Sequence, residues 1–317
     1  MSDRSVHEQQ PPVPRRRRPL AAAMLPAATV LATAVLLASA PCLAAAVPPS
    51  LASGTAGTVG AAGPDVALGM RGTRGTQYAL IVNGDDSFTH NYNVSLALAS
   101  LAQLGYAPQN TLTLAPASLE SSGAAVDPAA WRRPATEQGL RQALALLRER
   151  VRPGDLLLVY LTGHGYRMFG RTSLGLQNGS ITARDLLQRL AEIPFGKLVL
   201  IADQCYSGGF VNAAVALGRN VVAVSSTDDR HEVRCEPFIR PLWLAAVAAE
   251  SDTRANGFVS IEEAFQVAVN GLSRAGGAAA DGSVPQLAAS GSCAGRENRF
   301  AAGPRVESSQ QQALLAH

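Results

Sequence analysis

The chain has 317 residues, of which 47% are hydrophobic and only 16% charged, enough for one domain of roughly 200 to 250 residues plus extensions. Its net charge is +3, part of it concentrated in the run Arg15 to Arg18, and aromatic residues make up only 5%. The remainder lacks a basic stripe interleaved with aromatics, so no nucleic-acid partner is expected.

Behind the basic run, Leu20 to Ala46 is a long, uncharged, alanine-rich apolar segment. It reads as an export signal over residues 1–46, cleaved after Ala46 at the small-x-small pattern Ala44-Ala45-Ala46. The expected location is therefore periplasmic or secreted. If residues 20–46 stay uncleaved they form a membrane anchor instead, because about 20 apolar residues span a bilayer; only then is a membrane partner expected. Residues 47–75 are dominated by Gly, Ala, Pro and Thr and read as a flexible linker or propeptide.

A folded domain is expected over residues 76–303. Tyr78 to Val82 reads as a strand closed by the turn Asn83-Gly84-Asp85-Asp86. Asn93 to Leu104 reads as a helix stopped at Gly105, Thr111 to Leu114 as a strand, and Ser118 to Pro134 as a loop. Thr136 is placed to cap a helix to Arg150, with Leu140, Leu144 and Leu147 on one face. After the turn Pro153-Gly154-Asp155, the apolar run Leu156 to Leu161 leads into Thr162-Gly163-His164-Gly165. A helix over Thr182 to Ala191 precedes a second apolar run, Leu198 to Ala202, which leads into Asp203-Gln204-Cys205-Tyr206-Ser207-Gly208-Gly209. Val221 to Ser225 is a further strand, and Leu242 to Ala249 and Ile261 to Leu272 are helices. This alternation argues for an α/β fold, a three-layer α/β/α sandwich around a mostly parallel sheet.

In such a sheet, ligands bind in the crevice outside the carboxyl ends of the strands. An imidazole and a thiol, each flanked by glycine and each at a strand end, are thereby expected as neighbours. The two motifs, in the order His before Cys and each behind an apolar strand, resemble those of the caspase-like cysteine peptidases, especially the legumain and metacaspase types. The opening strand Tyr78 to Gly84 and the placement of His90 ahead of Gly105 resemble the legumain type. The Gln-Ala-Cys-x-Gly stretch of animal caspases is absent.

The resemblance implies a peptidase in which Cys205 is the nucleophile and His164 the acid and polariser. A thiolate attacks a peptide carbonyl, and an imidazole delivers a proton to the leaving amine. The N–H groups of Gly165 and Cys205 are the expected oxyanion hole, and Gly208 and Gly209 are expected to let substrate approach closely. The resemblance also places Asp203 in the pocket for the residue before the scissile bond. There it favours Arg or Lys by charge-assisted pairing, with Asn if the legumain mode prevails. Thr89 stands where that mode expects an arginine, against Asn specificity. His90 either lines this pocket or caps the first helix. Ser225 and Ser226 either contact substrate backbone or are turn serines. The charged stretch Asp228 to Pro237 begins where the family's pocket-forming loop lies, and solvated side chains explain it equally well.

No organic cofactor is expected, and His7, His90, His231 and His317 show no ligand spacing that suggests a metal. With Cys42 discarded in the signal, Cys235 and Cys293 form either a disulfide or two separate thiols. Residues 304–317 carry no fold signal and read as a tail. The expected partner is a peptide or protein substrate; oligomeric state is not readable. Hydrolysis, ligation through the same acyl-enzyme, and silent peptide binding are the three functional readings, with the intact His/Cys pair arguing against silence.

Overall fold

The computed structural model describes residues 75–122, 130–233, 238–255, 258–274, 284–294 and 298–300. The segments expected to be an export signal, a linker and a tail lie outside them, apart from Gly75, as does Cys235.

Four runs of β-branched and aliphatic residues build the centre of the sheet. They are β1 (Gln77–Asn83), β4 (Leu156–Thr162), β8 (Lys197–Ala202) and β9 (Val221–Ser225), nearly every residue of which is buried. A strand covered on both faces has no polar side to show, hence the unbroken apolar runs. With β2 (Thr111–Leu114), β3 (Trp131–Arg133) and β10 (Gln286–Ser290) they form a seven-stranded sheet of order β10-β9-β8-β4-β1-β2-β3. All pairings are parallel except β10 with β9.

Alternate residues of these strands serve two separate cores. Leu80, Val82, Leu157, Val159, Leu161, Leu198 and Leu200 pack with α2 (Glu137–Arg150), α3 (Ala183–Ala191) and α4 (Gly208–Val215). Ala79, Ile81, Leu158, Tyr160, Val199 and Ile201 pack on the other face with α1 (Phe88–Gln103), α5 (Ile239–Val247) and α6 (Ile261–Arg274). The expected three-layer α/β/α sandwich with a mostly parallel sheet is the fold observed, and it is consistent with a caspase-like fold.

Local signals hold at helix starts. Thr136 accepts from the Gly139 N–H at 3.1 Å and Thr182 from the Asp185 N–H at 3.1 Å, satisfying amides that a helix cannot pair internally. Ser260 and Glu263 cap α6 reciprocally: the Glu263 N–H donates to Ser260 Oγ at 3.1 Å, and the Ser260 N–H donates to Glu263 Oε2 at 3.0 Å.

Three features depart from the sequence reading. α1 begins at Phe88, so its first two turns, including His90, Asn91 and Asn93, lie at the carboxyl edge of the sheet. β3 occupies part of the expected loop before α2. The connection from β4 to β8 holds, besides α3, a three-stranded antiparallel sheet of β5 (Gly165–Met168), β6 (Arg171–Leu176) and β7 (Gly179–Thr182). Its first hairpin turns on Phe169 (φ 49°) and Gly170 (φ 74°). Two positive φ values suit the strand twist of a tight hairpin, but Phe-Gly is not among the residue pairs that announce one.

Candidate active site

β4 and β8 are hydrogen-bonded neighbours, with Leu161 opposite Ala202, so the segments that follow them emerge side by side. Gly165 and Cys205 are in backbone contact: a Cβ on Gly165 would collide with the Cys205 carbonyl oxygen and lie 2.8 Å from the Cys205 nitrogen. Glycine is thus required at position 165 by the Cys205 segment itself. The small sheet fixes the same loop, as the Gly175 N–H donates to the His164 carbonyl at 2.8 Å.

His164 is held from the end of β1. Gly163 adopts φ +124°, where a side chain is strained, and a Cβ there would lie 3.2 Å from the Gly84 nitrogen. That close passage brings Asp85 to the imidazole, with Asp85 Oδ2 2.7 Å from His164 Nε2. The carboxylate is itself anchored: the Ser87 N–H donates to Asp85 Oδ1 at 2.7 Å, and the Asp85 N–H donates to Asn83 Oδ1 at 3.0 Å. Burial pushes the Asp85 carboxyl up, but the Ser87 hydrogen bonds and the neighbouring His90 and His164 outweigh it and hold it below the ordinary carboxylate value. Asp85 accepts the Nε2 proton and leaves Nδ1 as the nitrogen free to exchange one. The His164 side chain is 66% exposed.

Cys205 is half-buried, and the residue after it, Tyr206, has φ +59°. α4 starts at Gly208, so a helix amino terminus, which favours negative charge, opens just behind the thiol. The loop after β9 closes over this segment. The Tyr206 N–H donates to the His231 carbonyl at 2.9 Å, and the Val233 N–H donates to Cys205 Sγ at 3.4 Å. The Sγ also lies 3.7 Å from the Val233 carbonyl oxygen. Asp228 holds His231 Nδ1 at 2.8 Å, so the charged loop is organised at its start; residues 234–237 lie outside the described residues.

Asp203 lies beneath this surface, 1% exposed. Its Oδ2 accepts from Asn93 Nδ2 at 3.2 Å, Tyr160 Oη at 3.1 Å and Thr162 Oγ1 at 3.2 Å, and its Oδ1 accepts from Ser226 Oγ at 2.7 Å. Because the Thr162 hydroxyl spends its proton on Asp203, it accepts from His90 Nδ1 at 2.8 Å, which assigns that proton to Nδ1. His90 thereby sits between Asp203 and His164, its ring centroid 6.2 Å from that of His164.

The other expected site residues have different surroundings. Ser225 is fully buried and its hydroxyl donates to the Thr227 carbonyl at 2.8 Å, while Ser226 builds the Asp203 cradle. The structure gives Gly208 and Gly209 a packing reason rather than an approach path. A Cβ on Gly208 would lie 2.6 Å from the Asp228 carbonyl carbon, and one on Gly209 2.6 Å from Thr172 Cβ. Asp85, Asn93, Tyr160 and Thr162 are the site residues the sequence reading missed. Asp85 alone carried a usable signal, its position in the turn at a strand's carboxyl end. Among the described residues no cluster of three or more His, Cys, Asp or Glu is placed to hold a metal ion.

No family model matches the sequence. The chain is similar to metacaspase-4 of Arabidopsis thaliana, with 29% identity over 116 residues, a match covering 32% of this chain and 28% of that protein. The chain is a distant homologue of that metacaspase. The homology supports a metacaspase-like cysteine peptidase family, in agreement with the two motif loops meeting at Gly165 and Cys205. The matched region spans less than a third of the relative, so its activity does not transfer as a whole. The crystal structure of protein GSU0716 from Geobacter sulfurreducens aligns with a TM-score of 0.47 and 13% identity, covering 73% of this chain and 100% of that one; this likeness is too loose to argue from.

Proposed function

We propose that this chain is an exported cysteine endopeptidase that works through His164 and Cys205. The observation that carries the reading is the imidazole held by Asp85 at the end of β4, beside the strand whose end presents the thiol. His164 Nδ1 takes the Cys205 thiol proton, the resulting thiolate attacks the scissile carbonyl carbon, and the N–H groups of Gly165 and Cys205 receive the oxygen as it gains charge. The C–N bond breaks as His164 Nδ1 gives its proton to the departing amine. Water then enters and gives a proton to Nδ1 as its oxygen attacks the thioester, the C–S bond breaks, and Nδ1 returns the proton to the Cys205 sulfur. Asp85 keeps Nε2 protonated and the ring oriented throughout, which supports the imidazolium when it forms.

Asp203 lies at the base of the proposed substrate pocket, with His90 and Ser226 beside it, and its charge favours Arg or Lys, with Asn next and Asp last. A positional peptide library incubated with the purified protein tests the reading, and mass analysis of the products separates hydrolysis from ligation. Cleavage in that order is expected; intact peptides throughout would sink the proposal.

Export rests on the basic run and the apolar segment at residues 20–46, which lie outside the described residues. Among the described residues no helix is long and apolar enough to cross a membrane. The mature protein is expected to begin near Val47. Amino-terminal sequencing of the exported form checks this, and a start at Met1 in soluble mature protein refutes cleavage.

A further inference from the structure

Asp203 is not the only charge beside the proposed pocket. Arg240, in the first turn of α5, donates Nε to Asn93 Oδ1 at 2.9 Å, and Asn93 Nδ2 donates to Asp203 Oδ2 at 3.2 Å. One buried amide therefore stands between a cation and a carboxylate. The Arg240 guanidinium carbon lies 4.7 Å from the centroid of the Tyr92 ring, and this stacking holds the cation in place. Among the described residues no carboxylate pairs with Arg240, and none accepts from its two terminal nitrogens.

α1 and α5 lie on the same face of the sheet, and both begin at its carboxyl edge, after β1 and β9 respectively. The second turn of α1 and the first turn of α5 bring Tyr92, Asn93 and Arg240 together, with Asn93 bonded to Asp203. A substrate cation drawn to Asp203 meets Arg240 as well, in a half-buried setting where salt screens weakly. An uncharged amide meets neither the full attraction nor the full repulsion, and it can bond to either group.

We propose that Arg240 is a specificity-determining residue of this pocket, partly offsetting the charge of Asp203 and so limiting the preference for Arg or Lys over Asn. The proposal rests on the peptidase reading above and deepens it by assigning the balance between the two substrate classes to one side chain.

Peptidyl ketones that alkylate thiols, carrying either Lys or Asn next to the reactive carbonyl, report the pocket directly. The rate of Cys205 labelling is followed by mass spectrometry in the full chain for the wild type, Arg240→Gln and Arg240→Lys. Iodoacetamide labelling normalises thiol reactivity, and a melting curve checks folding. Arg240→Met, which keeps apolar contact with Tyr92 without the charge, serves as a second neutral variant if Arg240→Gln does not fold. The Lys-to-Asn rate ratio is expected to rise about tenfold in the neutral variants, equivalent to about 1.4 kcal/mol. In Arg240→Lys it should stay within about threefold of wild type, because the charge is retained. An unchanged ratio in the neutral variants, or an equal shift in Arg240→Lys, overturns the proposal while leaving the peptidase reading standing. If neither peptide labels wild-type Cys205 faster than a ketone lacking the peptide, the pocket reading fails and the proposal falls with it.

Discussion

Replacing Cys205 by Ala, or His164 by Ala, is expected to lower peptide cleavage about ten-thousandfold or more while leaving the protein folded. The size follows from the way a nucleophile and its proton donor act as a unit, so that losing either removes most of what both supply. For the same reason the double variant should be scarcely less active than either single one. Folding is spared for reasons visible in the structure. The His164 side chain is 66% exposed, and exposed substitutions usually shift stability by less than about 0.5 kcal/mol. Cys205→Ala loses the sulfur's contacts with Val233, a cost of about 1 kcal/mol for weak hydrogen bonds. Asp85→Asn belongs to the same series. It removes the charge that supports the imidazolium, and kcat should fall about a hundredfold with KM little changed. The checks are steady-state kinetics on a library-selected peptide and melting curves of each variant. Wild-type turnover in Cys205→Ala or His164→Ala would remove the dyad, and wild-type turnover in Asp85→Asn would remove only its positioning role.

The second large effect is on selectivity. Asp203→Asn should reduce the preference for basic over Asn side chains by roughly thirtyfold, the equivalent of about 2 kcal/mol for a desolvated charge pair. Asparagine is a better probe here than alanine, because truncation would strand the Asn93, Tyr160, Thr162 and Ser226 donors. The amide can place its oxygen toward Asn93, Tyr160 and Thr162 and its NH2 toward Ser226, whose hydroxyl oxygen then accepts. The stability cost should therefore stay near 1 kcal/mol, and iodoacetamide labelling of Cys205 should change little. Kinetics with paired Lys and Asn substrates decide the matter, and an unaltered ratio would show that Asp203 holds the pocket together without reading the substrate. Asp203→Asn and the neutral Arg240 variants are expected to move that ratio in opposite directions, a pattern that a general loosening of the pocket does not produce.

The central strands, the faces of α2 and the two strand-end motifs were all legible in the amino-acid sequence. Strands buried on both faces must be continuous apolar runs, an amphipathic helix must repeat its apolar residues every three to four positions, and a backbone that crosses another closely needs glycine. Each of these is a constraint on neighbouring residues, so a one-dimensional reading recovers it. The Phe169-Gly170 hairpin escaped because its turn uses a residue type that seldom takes positive φ. The start of α1 at Phe88 escaped because Ser87 caps it without a side-chain hydrogen bond and its first turn carries no acidic residue.

The site divides along the same line. His164 and Cys205 were evident because each stands next to its own strand and its own glycines. The meeting of their two segments, Gly165 against Cys205, follows from β4 and β8 being adjacent in a parallel sheet. The partners that tune them come from elsewhere: Asp85 from the end of β1, Asn93 from α1 at 110 positions from Asp203, and Arg240 from α5 at 147 positions from Asn93. No local pattern marks Asn93 or Arg240, and Asp85 shows only its place in a strand-end turn, because their roles depend on strand order and on which helices share a face. The sequence by itself determined the layers and the two strand-end motifs; only the tertiary structure decided which carboxylate holds the His164 imidazole and which groups surround Asp203, because those pairings form only when distant strand and helix ends converge on one edge of the sheet.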